Sequence, residues 1–522
     1  MKKTSQTLAI RVLLFSTFIV SLCGLTYELL VGSLSTNLEG NPILQYSLTI
    51  GFFMSALGIG SYLSRFFVKN LLYQFIIIEI ILGIFGGLSI AFLNLVYIEL
   101  YPVYTFINIL VLIIIGVFVG LEIPLITRIL KEFGDLKETI SNVLTIDYIG
   151  GLVASLFFPL VLYPYVGLIK TAFIVGFINV LIGMTNLIIF SDEIKLKEKI
   201  PIWVTSILSL ILLGSGVFFS SALSGYYSKA ISGNVVYNKR SQYQNIMVTL
   251  NKGNIQLFLD GHLQFAAHDE HRYHESLIYP PFYLKDNVKT VLIMGGGDGL
   301  AVREILKFKS VEKIVLVDLD PRMTELAKHF TPLSRLNQKS FHHPKVEIHN
   351  QDAYKYLGTT PLTFDVIYAD FPDPHDASLA KLYSIEFYHF VKRRLAKDGI
   401  VLTQATSPLH AKKAFWCIGK TLKSVFKNVS SYHVNVPSMG DWGFHIATLH
   451  EMNPKKLISK ESPSISNRWK EISYRFFSKE IFRQSLTFAK DSRLNHQDDV
   501  KINNFMEPIL YDYHRQGWKH YY

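Results

Sequence analysis

Val291-Leu-Ile-Met-Gly-Gly-Gly-Asp-Gly299 decides how this chain is read. An apolar run stops at a glycine cluster that carries one acid, Asp298. The run reads as a buried parallel strand, and the glycines let bare backbone turn tightly beside a ligand. Residues 300–308 read as a helix, so a ligand there meets a helix N-terminus, a place that favours phosphate. The added carboxylate of Asp298 makes it poor for phosphate and good for an amine. The loop lacks the spaced glycines of a dinucleotide site, and no Walker lysine follows. The expected ligand is a cation.

Working outward, residues 313–318, 345–349, 365–369 and 399–404 join 291–294 as strand candidates with helical stretches between them. Strands alternating with helices predict a doubly wound, Rossmann-like parallel sheet, with ligands at the carboxyl ends of the strands. The acids fall at those ends: Asp298 after the first strand, Asp318 and Asp320 at the second, Asp352 past the third, Asp370 and Asp373 after the fourth. Asp318 lies where a carboxylate accepts ribose hydroxyls. In Asp370-Phe-Pro-Asp-Pro374 a proline-stiffened turn holds two carboxylates. Like charges held close raise the proton affinity of one of them, and an amine nucleophile needs such a base, because an ammonium has no lone pair.

Before the glycine loop, 233–237, 244–251 and 253–259 read as short strands of a small antiparallel sheet with Asn-Lys-Gly-Asn and Asp-Gly turns. Tyr273-His-Glu275 follows, and is expected to cover a cleft like a lid, with His274 either a ligand or a surface residue. The scattered histidines His262, His268, His271 and His274 show no zinc-like spacing, so no metal is expected.

Residues 1–225 are mostly apolar. Seven segments (8–31, 43–68, 71–97, 104–126, 143–162, 169–190 and 202–221) have the ~20 apolar residues a spanning helix needs. The first is read as a retained helix rather than a signal peptide. Glu28, Glu79, Glu122 and Asp147 lie inside these spans, where carboxylates serve either interhelical hydrogen bonds or a cation path. Gly58, Gly60, Gly150 and Gly151 suggest close helix packing. The chain carries a net charge of +11, spread beside the spans and near the C-terminus. That is an orientation bias and no sign of nucleic acid. Cys23 and Cys417 form no disulfide framework. The basic loops after spans two, four and six point to the cytoplasm; seven full spans would then leave residues 226–522 outside. The chemistry wants a metabolite made inside cells, so a cytoplasmic catalytic half in the cell (inner) membrane is the expectation. The domain plan is 1–225 membrane helices, 226–285 small β domain, 286–450 Rossmann-like domain, and 451–522 a basic helical extension. In the extension, 465–477 and 479–488 read as helices packed on their own domain or lying on a bilayer, the first favoured.

Together these motifs resemble the spermidine synthase family, the polyamine aminopropyltransferases. The resemblance runs from about Tyr237 to Ala447. It rests on Ser241-Gln-Tyr-Gln-Asn-Ile246, Leu259-Asp-Gly-His-Leu-Gln264, Arg272-Tyr-His-Glu275, Gly295-Gly-Gly-Asp-Gly299, Asp318-Leu-Asp320, Gln351-Asp-Ala353, Asp370 with Asp373-Pro374, and Val436-Pro437 with Trp442-Gly-Phe444. Gly24-Leu-Thr-Tyr-Glu28 and Gly120-Leu-Glu-Ile-Pro124 look like the helical region of membrane-anchored members. The resemblance implies transfer of an aminopropyl group from decarboxylated S-adenosylmethionine, a cosubstrate and not a tightly bound cofactor, to a diamine such as putrescine. It implies that Gln244, Asp318, Asp352, Ala353, Gly295 and Gly297 meet the nucleoside. Asp298 would bind the aminopropyl amine; Tyr273, His274 and Asp373 would orient the acceptor; Asp370 would take the proton. Homo-oligomers are expected by analogy with soluble relatives. This sequence departs from the family in Asp318, often Glu, in Asp373-Pro-His-Asp-Ala-Ser378 where Gly-Pro-Ala usually follows, and in Ser438-Met-Gly-Asp-Trp442. The acceptor pocket is therefore expected to differ. The competing readings are an S-adenosylmethionine-dependent methyltransferase, and a polyamine transporter or sensor whose C-terminal half only binds ligand.

Overall fold

A computed structural model of the chain describes residues 3–39, 42–132, 135–232, 234–459, 469–494 and 499–518. Two compact units divide it, Met1–Val235 and Val236–Tyr522.

The first unit is a bundle of seven helices: α1 Lys3–Glu39, α2 Pro42–Leu63, α3 Leu71–Glu99, α4 Tyr104–Leu130, α5 Leu136–Phe157, α6 Leu168–Ile189 and α7 Leu196–Ser232. Among the described residues seven helices are long and apolar enough to cross a membrane. Each contains one of the segments expected from sequence, except that the second segment, 43–68, outruns α2, which ends at Leu63 before a short 3₁₀ turn, Ser64–Phe66, the fifth continues through a π-wound stretch, Phe158–Val166, and the sixth segment's last residue, Phe190, caps its helix. Small residues set the crossings. A Cβ on Gly83 would lie 2.7 Å from the Gly176 carbonyl, and one on Gly60 would lie 2.1 Å from that of Val117, so α3 meets α6, and α2 meets α4, backbone to backbone. Gly150 packs against the Phe18 carbonyl, while Gly58 faces nothing within 4 Å. Glu79 and Glu122 are fully enclosed and Glu28 is buried; Asp147 accepts a bond from Ser21 through its backbone carbonyl. The expected change to strands at residue 226 comes later, since α7 runs to Ser232 and Tyr227 anchors it by donating to the Ala91 carbonyl. Position 233, the start of the first expected strand, lies outside the described residues.

The second unit opens with a four-stranded antiparallel sheet, β1 Val235–Arg240, β2 Asn245–Asn251, β3 Asn254–Leu259 and β4 His262–Ala266. The sequence reading had three of these strands and lacked β4. After the buried helix α8, Glu270–Ile278, comes a seven-stranded sheet in the order β10-β11-β9-β8-β5-β6-β7. Its parallel members are β5 Thr290–Gly295, β6 Lys313–Asp318, β7 Val346–Asn350, β8 Phe364–Asp370 and β9 Leu395–Gln404. All five sit on the expected segments. Central β5 is apolar on both faces because both are covered: Val291 and Ile293 face one core, Leu292 and Met294 the other. The antiparallel hairpin β10 Asn428–Val436 and β11 Gly440–Thr448 extends the sheet past β9; it was not among the strand candidates. The order reverses at β5, with β6 on one side and β8 on the other, which opens a crevice above its carboxyl end.

In the extension the helix expected at 479–488 is Lys479–Ser485. The one expected at 465–477 lies partly outside the described residues, and residues 472–477 are not helical. The buried carboxylate of Glu275 takes the backbone N–H groups of Arg475, Phe476 and Phe477 at 2.7, 2.7 and 2.8 Å, and N–H groups spent on a carboxylate cannot close helical turns. A helix absent from the sequence reading, Ile509–Trp518, ends the described chain.

Candidate active site

The glycine loop brings the ends of three strands together. Gly295 has φ +83°, and a Cβ there would lie 2.1 Å from the Asp370 carbonyl. Only glycine lets β5 and β8 end side by side in this way. A Cβ on Gly297 would lie 2.5 Å from the Asp318 carboxylate, so the bare backbone admits that acid. Asp298, just ahead of the Gly299 N-cap, turns its carboxylate back toward the helix Leu300–Ile305 and accepts from the Leu300 N–H at 2.8 Å. This helix is shorter than the 300–308 expected.

Three acids, Asp318, Asp370 and Asp298, share the crevice with one cation. Burial pushes the Asp318 carboxyl up to about 7, against the Asp320 N–H that it accepts at 2.8 Å. Burial pushes Asp370 up to about 6; the His274 cation and the Tyr273 hydroxyl pull it down, and Asp298 pushes it further up. The repelling neighbour is therefore Asp298 across the glycine loop, not Asp373, its neighbour in the sequence. Asp298 is itself raised by burial, with the His274 cation opposing.

α8 supplies that cation. Tyr273 donates to Asp370 Oδ1 at 2.6 Å and packs on Trp442 and Phe444 of β11. His274 Nδ1 sits 2.9 Å from Glu270 Oε2, and Arg303 donates to both oxygens of the same carboxylate. Burial disfavours the imidazolium, but Glu270 outweighs it and holds His274 up at about 9. The segment is thus no lid and His274 no surface residue: its side chain is 2 % exposed. The period of α8 puts residues 270, 273 and 274 on one face of the helix, toward the crevice.

The remaining expected residues line the rim. Gln244 Nε2 donates to Asp320 Oδ2 at 3.1 Å, and the Ser241 hydroxyl reaches the same oxygen at 2.6 Å. These bonds pin the 241–244 turn beside Asp318. Asp352 stands apart: it caps the helix Ala353–Thr359 through the Tyr354 N–H at 2.7 Å and lies 3.8 Å from Lys381, with Ala353 buried beside it. Asp373 leaves the Asp370 cluster and accepts from the Thr406 hydroxyl at 3.0 Å. Thr406 holds φ +60°, a strained setting for a β-branched residue of the kind found at working sites. Among the described residues no three His, Cys, Asp or Glu side chains converge as metal ligands would.

Residues 270–459 match the family described as the spermine/spermidine synthase domain. A polyamine aminopropyltransferase of Leptospira interrogans is 39% identical over 510 residues, covering 97% of this chain and 98% of that one. A namesake from Oceanobacillus iheyensis is 36% identical over 516 residues, 98% of each chain. The chain belongs to the polyamine aminopropyltransferases. Polyamine aminopropyltransferase 2 of Ralstonia nicotianae is 38% identical over 520 residues, 97% of this chain and 98% of its own, so these relatives share the helical half as well as the crevice. Glu270, Arg303, Thr406, Gln404, whose amide donates to the Phe371 carbonyl at 2.7 Å, and His514, 3.1 Å from Asp373 Oδ2, are residues around the crevice that the sequence reading missed. Glu270 carried a usable signal, one turn before His274. The others reach the crevice only through the fold.

Proposed function

We propose that the crevice moves the aminopropyl group of decarboxylated S-adenosylmethionine onto a diamine such as putrescine, giving spermidine and methylthioadenosine. The observation that carries this reading is Asp370, raised to about 6 and held by Tyr273 at the end of β8, opposite Asp298. A sulfonium already activates the carbon to be attacked. The acceptor nitrogen forms the new C–N bond, the C–S bond breaks with its electrons on sulfur, and a neutral thioether leaves. The nitrogen becomes cationic as it bonds, and its proton passes to Asp370, whose affinity near neutrality suits a general base. The enzyme's remaining task is alignment of nitrogen, carbon and sulfur.

In this reading Asp318 accepts the ribose hydroxyls, with Gln244, Gly295, Gly297, Asp352 and Ala353 around the nucleoside. Asp298 holds the aminopropyl ammonium and repels the carboxylate of ordinary S-adenosylmethionine. Tyr273, His274 and Asp373 orient the acceptor. The seven apolar helices anchor the chain in the cell membrane, with the catalytic half in the cytoplasm, where nucleoside and diamine are made. Purified full-length protein given putrescine and decarboxylated S-adenosylmethionine is expected to release methylthioadenosine. Absence of release with every di- and triamine tried overturns the assignment.

A further inference from the structure

Asp373 is held by a residue from outside the matched synthase region. Its Oδ2, which accepts from Thr406, also lies 3.1 Å from His514 Nε2. His514 belongs to the helix Ile509–Trp518, well past residue 459 where the family match ends. Packing fixes that helix. Leu510 is fully buried, and a Cβ on Gly517 would lie 2.6 Å from the His410 carbonyl at the start of the helix Lys412–Val425. Trp518 Nε1–H reaches the same His514 nitrogen at 3.0 Å. One nitrogen cannot donate to Asp373 and accept from Trp518 at once, so Nε2 is gripped from both sides and serves one partner at a time.

Two more imidazoles stand by. His262 of β4 and His375, after β8, stack with centroids 4.4 Å apart. Both feel Asp373 and His514 electrostatically. Desolvation by the surrounding protein lowers both imidazoles, His262 to about 4, while His262 keeps an exposed edge and His375 is half-buried. Neutral rings offer lone pairs and π faces to a polycation without competing charge. His375 falls in the segment where this chain leaves the family pattern.

We propose that His514 is a positioning residue of the acceptor-amine subsite: from the C-terminal extension it holds the Asp373 carboxylate in the orientation that receives the acceptor's ammonium, beside a wall formed by His262 and His375. This rests on the reading of Asp373 as an acceptor-orienting residue.

The test is steady-state kinetics of the purified full-length protein, varying putrescine and decarboxylated S-adenosylmethionine separately. His514→Ala is expected to raise the KM for putrescine about tenfold, with kcat at saturating diamine and the KM for the nucleoside within about twofold. His514→Gln, which restores an N–H donor, is expected to recover most of that loss. An unchanged putrescine KM in His514→Ala overturns the inference alone. So does a parallel rise of both KM values that His514→Gln does not repair, because a structural role would move both. A wild-type protein without transferase activity overturns the underlying assignment, and this inference with it.

Discussion

At the scale of single residues, the chemistry rests on which carboxylates share space. Asp370 sits at about 6 because burial and Asp298 outweigh the help of His274 and Tyr273. A base must be ionised to work, so kcat/KM is expected to rise with pH through about 6 and then level. Tyr273→Phe removes a bond that favours the carboxylate, and the rising limb should move to higher pH; an unmoved limb would mean that another group sets it. Asp370→Asn should lower kcat by about 10²- to 10⁴-fold, the range for a general base. Methylthioadenosine affinity by calorimetry should stay within about twofold. Comparable losses in binding and turnover would make Asp370 a binding residue instead.

At the scale of elements, what was legible in the sequence was whatever depends on local pattern. The five parallel strands read correctly because each is a short apolar run ending at a turn or an acid. The hairpin β10–β11 was passed over although β10 carries the signal: buried Tyr432, Val434 and Val436 alternate with the less buried His433 and Asn435. Over residues 472–477 the expected helix does not form, because Glu275, about two hundred residues away, claims the N–H groups of Arg475, Phe476 and Phe477. The glycine loop and its acids were legible as a site; the pairing of Asp370 with Asp298, rather than with Asp373, was not, since only the sheet order places β5 beside β8. That pairing has a consequence for the loop. Gly295→Ala would drive a methyl group into the Asp370 carbonyl and force a positive φ on alanine, and it is expected to cost about 1–3 kcal/mol and to abolish turnover; a fully active variant would show that the loop can shift.

α8 offers a second check at this scale. His274 has its folded-state affinity raised to about 9, above the ordinary 6.5. Its stabilising contribution is therefore fully present below about pH 6.5 and disappears as pH rises through about 9. His274→Gln should lower stability on the order of 3 kcal/mol at pH 6, the low end for a broken buried pair, since Arg303 still serves Glu270. Thermal midpoints of the two proteins should converge by pH 10. A constant gap across that range would mean that the ring stabilises by packing and not by charge.

At the scale of the whole molecule the helical unit constrains orientation more tightly than loop charges alone. A cleft lined by Asn70, Glu132, Phe190, Glu193 and Glu198 gathers the loops after α2, α4 and α6 at one end of the bundle. Those loops carry Arg65, Lys69, Lys131 and Lys195, and Lys197 follows in the first turn of α7. α7 leaves that end with Ile202 packed among Ile76 and Leu187, passes Gly87 with Leu213, and reaches Ala91 with Tyr227. From Ile76 to Ala91 along α3 is about 22 Å at helical rise, so α7 traverses the bundle alongside α3 and in the same direction. In a bilayer, then, the basic loops and the C-terminal end of α7 would lie at opposite faces. A cytoplasmic catalytic half requires these loops to face outward, against the usual charge bias. The check uses intact cells, with protease directed at residues 236–522 and an impermeant thiol reagent at Lys69→Cys or Lys195→Cys. Protection of the catalytic half together with labelling of the loops is the expected result. Digestion with unlabelled loops would move catalysis outside the cytoplasm and leave the helical arrangement standing. Protection or exposure of both together would mean that α7 does not cross, and the arrangement of the helices itself would have to change.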